Sequence, residues 1–102
     1  WVAVERDTVL AVLVVQPDFL LGNFIALLAV SPAHAGRGVG RALVEKAKRL
    51  SFAKHRWLYV SCDRLNQAAA RFYEKVGFVK VAGLADLVCQ GRTEILWRMS
   101  RD

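Results

Sequence analysis

Val30-Ser31-Pro32-Ala33-His34-Ala35-Gly36-Arg37-Gly38-Val39-Gly40-Arg41-Ala42-Leu43 holds three glycines and two arginines between an apolar run and an amphipathic one. Glycine lets the backbone approach a ligand without interference from a Cβ atom. A helix that begins at Val39 leaves its first N–H groups unpaired and pointing out of its end, where the dipole adds positive charge. Arg37 and Arg41 add two full charges, so residues 36–41 read as a cradle for a phosphate or pyrophosphate. The loop is not a Walker loop, since no Lys-Ser/Thr follows. Nor is it a strict dinucleotide fingerprint, because Leu43 takes the place of the last glycine. A structural glycine turn is the competing reading of the loop alone.

Upstream, residues 23–30 (NFIALLAV) form an apolar run too short for a helix and stopped by Ser31-Pro32, which predicts a strand buried on both faces. Residues 1–5 and 9–15 are Val-rich and separated by Arg6-Asp7-Thr8, an expected antiparallel hairpin. Gln16-Pro17-Asp18 reads as a turn. Downstream, Val39, Leu43, Val44, Ala47 and Leu50 are spaced by three and four, with Lys46, Lys48 and Arg49 on the other side, which predicts a helix over 39–53. Residues 57–62 read as a strand. Asn66 is an expected N-cap for a helix over 67–76, with Ala69, Phe72, Tyr73 and Val76 on one stripe and Gly77 as its stop. Short strands are expected at 78–82 and 94–99, the loop between them carrying Gly83, Asp86 and Gly91. The order β-β-β-α-β-α-β-β places the chain in the α/β (α+β) class, with a mixed sheet and two helices.

The 102 residues suit one domain, 1–102. A 55% hydrophobic and 24% charged composition excludes disorder and coiled coil. The net charge of +6 is uneven: residues 34–75 hold ten Lys/Arg against three acids, leaving −1 for the rest. Such asymmetry points to an anionic partner, whether a phosphorylated cofactor, nucleic acid or a membrane surface, and otherwise to solvated helix faces. Gln16, Pro17 and Asp18, and again Gly22-Asn23, interrupt the 9–30 stretch, so no membrane span is expected. Cys62 and Cys89 form no CxxC pair and have no His at metal-ligand spacing. Reduced, buried thiols in a cytoplasmic protein and no metal site are the expectation. The exposed edge of the Val-rich hairpin predicts a homodimer.

Tyr73 lies seven residues after Asn66, two turns on, so both sit on nearly one helix face. Taken with the glycine loop, Asn66-x-x-Ala69-x-x-Phe72-Tyr73-Glu74-Lys75-x-Gly77-Phe78 resembles the second motif of the GNAT superfamily of acetyl-CoA-dependent N-acetyltransferases. The first motif of that family, a strand ending in Val-x-Pro and then Gln/Arg-x-x-Gly-x-Gly/Ala, is matched by Val30-Ser31-Pro32 and Ala35 to Gly40. The resemblance covers nearly the whole chain. It implies a mostly antiparallel central sheet and a transfer of acetyl from acetyl-CoA to an amine of a small molecule, peptide or protein. In particular, it implies that the amides of Gly36, Arg37, Gly38, Val39, Gly40 and Arg41 hold the CoA pyrophosphate. Main-chain groups of Leu28 and Val30 would hold the pantetheine arm and the acetyl carbonyl. Asn66 would touch the pantetheine or cap its helix, and Tyr73 would donate a proton or hydrogen bond to the departing thiolate.

Three departures from the family pattern bear on these expectations. Ala35 stands where Gln or Arg is usual, which predicts weaker CoA binding. Phe24 stands where several members place a Glu that serves as the general base, so the amine proton is expected to leave through water, a main-chain carbonyl or another side chain, with Asp63 and His34 as candidates. The family usually has a strand and two helices ahead of the hairpin that opens this sequence. Three readings follow: the acceptor groove is open to a peptide or protein terminus, a second subunit fills the gap, or the sequence is a piece of a longer protein. A non-catalytic CoA-binding or interaction module is the alternative function. An RNA-directed acetyltransferase and a dinucleotide-binding half-fold are further rivals, the last lacking its glycine at position 43.

Overall fold

The structure is a computed structural model that describes residues 1–5 and 8–101. Its strands are β1 (Val2–Glu5), β2 (Thr8–Phe19), β3 (Gly22–Val30), β4 (Trp57–Asp63), β5 (Val79–Ala85) and β6 (Thr93–Ser100). Two helices, α1 (Val39–Phe52) and α2 (Gln67–Val76), and a single 3-10 turn at Pro32–His34 complete the order. One six-stranded sheet runs β1-β2-β3-β4-β6-β5. All its pairs are antiparallel except β3 with β4, so the expected order and class hold. Arg6 and Asp7 of the expected first hairpin turn lie outside the described residues.

Two expectations fail in the second hairpin. Gln16-Pro17-Asp18 is no turn: β2 runs on to Phe19, with an irregularity between Gln16 and Phe19 that absorbs Pro17 and leaves Asp18 at φ 60°. The turn is Leu20-Leu21, both left-handed at φ 48° and 60°. Two consecutive left-handed residues match the twist of the flanking strands, but side chains other than Gly, Asn and Asp resist that conformation. The Tyr59 hydroxyl donates to the Leu20 carbonyl at 2.9 Å and the Trp57 amide to the Leu21 carbonyl at 3.3 Å, which hold the turn.

β3 is not buried on both faces: Ala26, Leu27 and Ala29 are exposed. The reason is its pairing. β3 meets β4 only through Gly22, Asn23 and Phe24, opposite Trp57, Leu58 and Tyr59. Beyond Phe24 the two strands part. The closed end is fixed by Gly22, whose Cβ would fall 2.4 Å from the Trp57 oxygen if it had one. It is also fixed by Ser51, fully buried on α1, whose hydroxyl donates to the Trp57 carbonyl at 2.6 Å and accepts from the Asn23 amide at 3.0 Å.

Both helices pack on one face of the sheet. α1 buries Leu43, Val44, Ala47 and Ser51, and α2 buries Tyr73, whose ring meets Phe78 and Trp97 edge-on at 5.8 and 6.1 Å. The core between them includes Leu13, Ile25, Leu58, Val60, Cys62, Ile95 and Met99. Each fully buried Leu or Val contributes roughly 1.5–3 kcal/mol by leaving water. β5 and β6 are longer than expected, and Gly83 lies inside β5 rather than in the connecting loop. Cys62 is buried as expected, but Cys89 is exposed, and both thiols are free. No helix among the described residues is long and apolar enough to cross a membrane.

Candidate active site

The parting of β3 from β4 opens a wedge between Val30 at the end of one strand and Asp63 at the end of the other. On the helix side this wedge continues into a cavity of about 580 Å³ between the N-terminus of α1 and one face of α2. Leu28, Val30, Gly36, Gly38, Gly40, Arg41, Asn66 and Tyr73 line it, together with Ala69 and Phe72. Two residues expected there, Arg37 and Val39, do not line it. Val39 is instead half-buried and packed against the core, because it starts the apolar stripe of α1.

The glycines of the loop serve different ends. Gly36 and Gly38 have φ of 81° and 80°, and a Cβ at either would meet nothing within 4 Å. Backbone conformation is what selects glycine there. Gly40 has no such φ, but a Cβ would lie 3.3 Å from the Phe72 ring and 3.5 Å from a Val30 methyl. Its role is close packing of α1 on β3 and α2. Gly38 is the N-cap and has no side chain to satisfy the helix end, and the helical ladder begins only at the Ala42 amide bonding Gly38 oxygen. The amides of Val39, Gly40 and Arg41 therefore have no helical partner and can accept an anion. The Arg41 guanidinium reaches the Lys75 carbonyl at the end of α2 at 3.5 Å, which keeps its charge at the cavity.

α2 carries the other wall. Asn66 caps it, its Oδ1 accepting from the Ala69 amide at 3.1 Å, and Gly77 ends it in the left-handed conformation with its amide on the Tyr73 and Glu74 carbonyls. Asn66 thus satisfies the capping alternative and also lines the cavity. Tyr73, one turn before the C-terminus, is fixed between Phe72, Phe78 and Trp97, and its hydroxyl donates to the Ser61 carbonyl on β4 at 3.4 Å. Burial pushes the phenol up to about 12, with the neighbouring Cys62 and Glu94 adding to the rise. Tyr73 is therefore a neutral hydrogen-bond donor throughout the neutral range.

The candidates for the general base fare differently. Phe24 is the last residue of β3 paired with β4, opposite Tyr59, and its ring lies 5.1 Å from that of Phe19. His34 lines the cavity, with a buried Nδ1 that has no hydrogen-bond partner among the described residues. Asp63 is occupied: it accepts from Arg92 Nε at 2.9 Å and from the Leu65 amide at 2.8 Å. The Arg92 bond holds its carboxyl below the ordinary carboxylate range. The residue that sequence reading missed is Glu94, on β6 directly across from Asp63, whose Oε2 accepts from Ser61 Oγ at 2.7 Å. Only the β4–β6 register brings these residues together, and no local spacing signals it. No group of three or more His, Cys, Asp or Glu side chains suited to a metal occurs among the described residues.

Comparison with known proteins gives this arrangement a family. The chain is 42% identical over 91 residues to the peptidyl-lysine N-acetyltransferase YjaB of Escherichia coli, covering 85% of this chain and 53% of that protein. It is 31% identical over 80 residues to the peptidyl-lysine N-acetyltransferase YiaC of the same organism, covering 78% and 49%. The chain thus spans about half the length of the curated relatives it matches. Its fold superposes on a GNAT family acetyltransferase of Elizabethkingia anophelis, solved with acetyl-CoA bound, with a TM-score of 0.86 at 16% identity over 97% of this chain and 73% of that one. The family model of the GNAT acetyltransferase domain matches residues 1–80, the span that contains both motifs and the wedge, and the chain belongs to that family.

Proposed function

We propose that this domain binds acetyl-CoA in the wedge and transfers the acetyl group to a primary amine, with the lysine side chain of a peptide or protein as the acceptor. The observation that carries the reading is the wedge itself. An anion-accepting helix end stands at one side of the cavity, and a buried phenol hydroxyl stands at the parting of β3 and β4. The lysine acceptor is supported by the two relatives named as peptidyl-lysine N-acetyltransferases.

Acetyl-CoA supplies an activated thioester and a pyrophosphate handle. The unpaired amides of Gly40 and Arg41 at the helix end, with those of Gly36 and Gly38, would hold the pyrophosphate. Arg41 and Lys75, two of the ten basic residues of the middle segment, line the same cavity, where their charge suits the phosphates. The main chain of β3 at Leu28 and Val30, which line the cavity beyond the last pairing with β4, would offer backbone donors to the acetyl oxygen. Tyr73, whose single O–H now rests on the Ser61 carbonyl, would turn it to the thioester sulfur. Held at a pKa of about 12, the phenol is a weaker acid than a thiol, so its contribution is stabilisation of the leaving thiolate rather than early proton release. That placement favours an enzyme over a binding module.

Two copies pairing through the hairpin edge is a further part of this reading, supported by exposed Val2, Val9 and Val14 on β1 and β2. The test is incubation of the protein with acetyl-CoA and a lysine peptide with a blocked N-terminus, read by mass spectrometry. Acetylated lysine supports the reading. Acetyl-CoA binding without transfer to any amine returns the binding-module alternative.

A further inference from the structure

The sheet has two faces at the wedge, and Ser61 connects them. Along β4, Leu58, Val60 and Cys62 are buried beneath the helices, and along β6 so are Ile95, Trp97 and Met99. Strand alternation therefore puts Ser61 and Asp63, with Glu94 and Leu96, on the opposite face. The Tyr73 hydroxyl reaches the Ser61 carbonyl from the helix side, while the Ser61 hydroxyl donates to Glu94 Oε2. One residue thus joins the phenol at the leaving-group side to a carboxylate on the far side of the sheet.

Glu94 is the carboxylate suited to that position. Asp63 faces it across the ladder but is held by Arg92, and Leu84 faces it from β5. Cys62 and Tyr73 are the titratable groups on the helix side. Because the Ser61 O–H points at Glu94, the lone pairs of Ser61 Oγ are left to accept an N–H from the opposite side. We infer that Ser61 and Glu94 form the proton acceptor for the attacking amine, which approaches on the face opposite the cofactor cavity.

The inference rests on the acetyl transfer proposed above, and the protons balance. The acceptor ammonium gives one proton to Ser61 Oγ as Ser61 passes its own to Glu94, and Glu94 releases it to water. The amine lone pair forms the C–N bond, the C–S bond breaks, and the leaving thiolate, hydrogen-bonded by Tyr73, takes a proton from water. The second proton leaves nitrogen by the same Ser61–Glu94 path. One proton is released overall.

The test measures kcat/KM for thiol release from acetyl-CoA with a panel of amines (a lysine peptide, spermidine and a peptide with a free N-terminus) from pH 7 to 9. Glu94→Gln is expected to lower it about 100-fold at pH 7, within the range for a lost general base. The free-amine fraction of a lysine rises about tenfold per pH unit below its pKa of roughly 10.4. The variant, dependent on that fraction, therefore recovers as pH rises, and its deficit narrows. Ser61→Ala, which keeps the carboxylate and removes the link, shows a smaller loss with the same pH signature. Both variants keep the melting temperature and the shift that acetyl-CoA gives it. A deficit that is the same at every pH, or no deficit, overturns the inference while leaving acetyl transfer intact. A wild type that acetylates no amine of the panel overturns the proposed function and this inference with it.

Discussion

The Ser51 hydroxyl donates to the Trp57 carbonyl at 2.6 Å while it accepts from the Asn23 amide, and it is fully buried. One side chain on α1 therefore pins the starts of β3 and β4 together, which fixes where the two strands must part. Ser51→Ala leaves the Asn23 amide and the Trp57 carbonyl without that partner. The expected loss is about 1–3 kcal/mol, the cost of unsatisfied buried polar groups. Urea unfolding of the two proteins measures it, and a loss below about 0.5 kcal/mol contradicts the role.

Gly38 and Gly40 separate two reasons for glycine. Gly38→Ala forces a side chain into the left-handed region, a strain of about 1–2 kcal/mol. Asn at the same position recovers part of that loss, since it tolerates the conformation better. Gly40→Ala keeps an ordinary φ and meets the Phe72 ring, so its effect is on helix packing, and Phe72→Leu relieves it. Thermal melts of the four variants check this, and a Gly38→Asn protein no more stable than Gly38→Ala argues against the backbone account.

Tyr73 makes folding sensitive to alkali. Its phenol is raised in the folded protein to about 12, against roughly 10 when unfolded. The unfolded chain therefore loses this proton first. Stability from the buried neutral phenol is complete below pH 10 and falls by up to about 2–3 kcal/mol as pH rises towards 12. Subtracting the urea stability of Tyr73→Phe from that of the wild type at each pH isolates the contribution. A difference that stays constant from pH 9 to 11.5 contradicts it. The same variant is expected to slow acetyl transfer by roughly 10- to 1000-fold.

The two thiols are expected to react unequally. Burial pushes the Cys62 thiol up, whereas Cys89 is exposed. Iodoacetamide at pH 7.5 labels Cys89 in the native protein and Cys62 only after denaturant is added, as mass spectrometry of the peptides reports. Prompt native labelling of Cys62 means that β4 is open to solvent.

Much of this was legible locally. The glycine loop, the Asn66 cap, the stripe on α2 and the Gly77 stop each depend on neighbours within a turn or two. Each is legible to within a residue of its observed bounds. The Leu20-Leu21 turn was not, because its conformation opposes the preference of leucine and is held by Tyr59 and Trp57 from another strand. β3 read as doubly buried because its composition does not reveal that pairing with β4 stops at Phe24. Glu94 was invisible for the same reason, since only the β4–β6 register sets it beside Ser61. Non-local pairing made both the wedge and its acidic neighbour.

The central claim is that the parting of β3 from β4 receives acetyl-CoA. An NMR titration of the ¹⁵N-labelled protein with acetyl-CoA tests it most directly, with NADH and ATP as controls at matched ionic strength. The account predicts saturable shifts concentrated in the amides of Gly36, Gly38, Val39, Gly40 and Arg41 and in those of Leu28 and Val30. Shifts that are absent, that concentrate outside the wedge, or that ATP reproduces in full along β3 would contradict it.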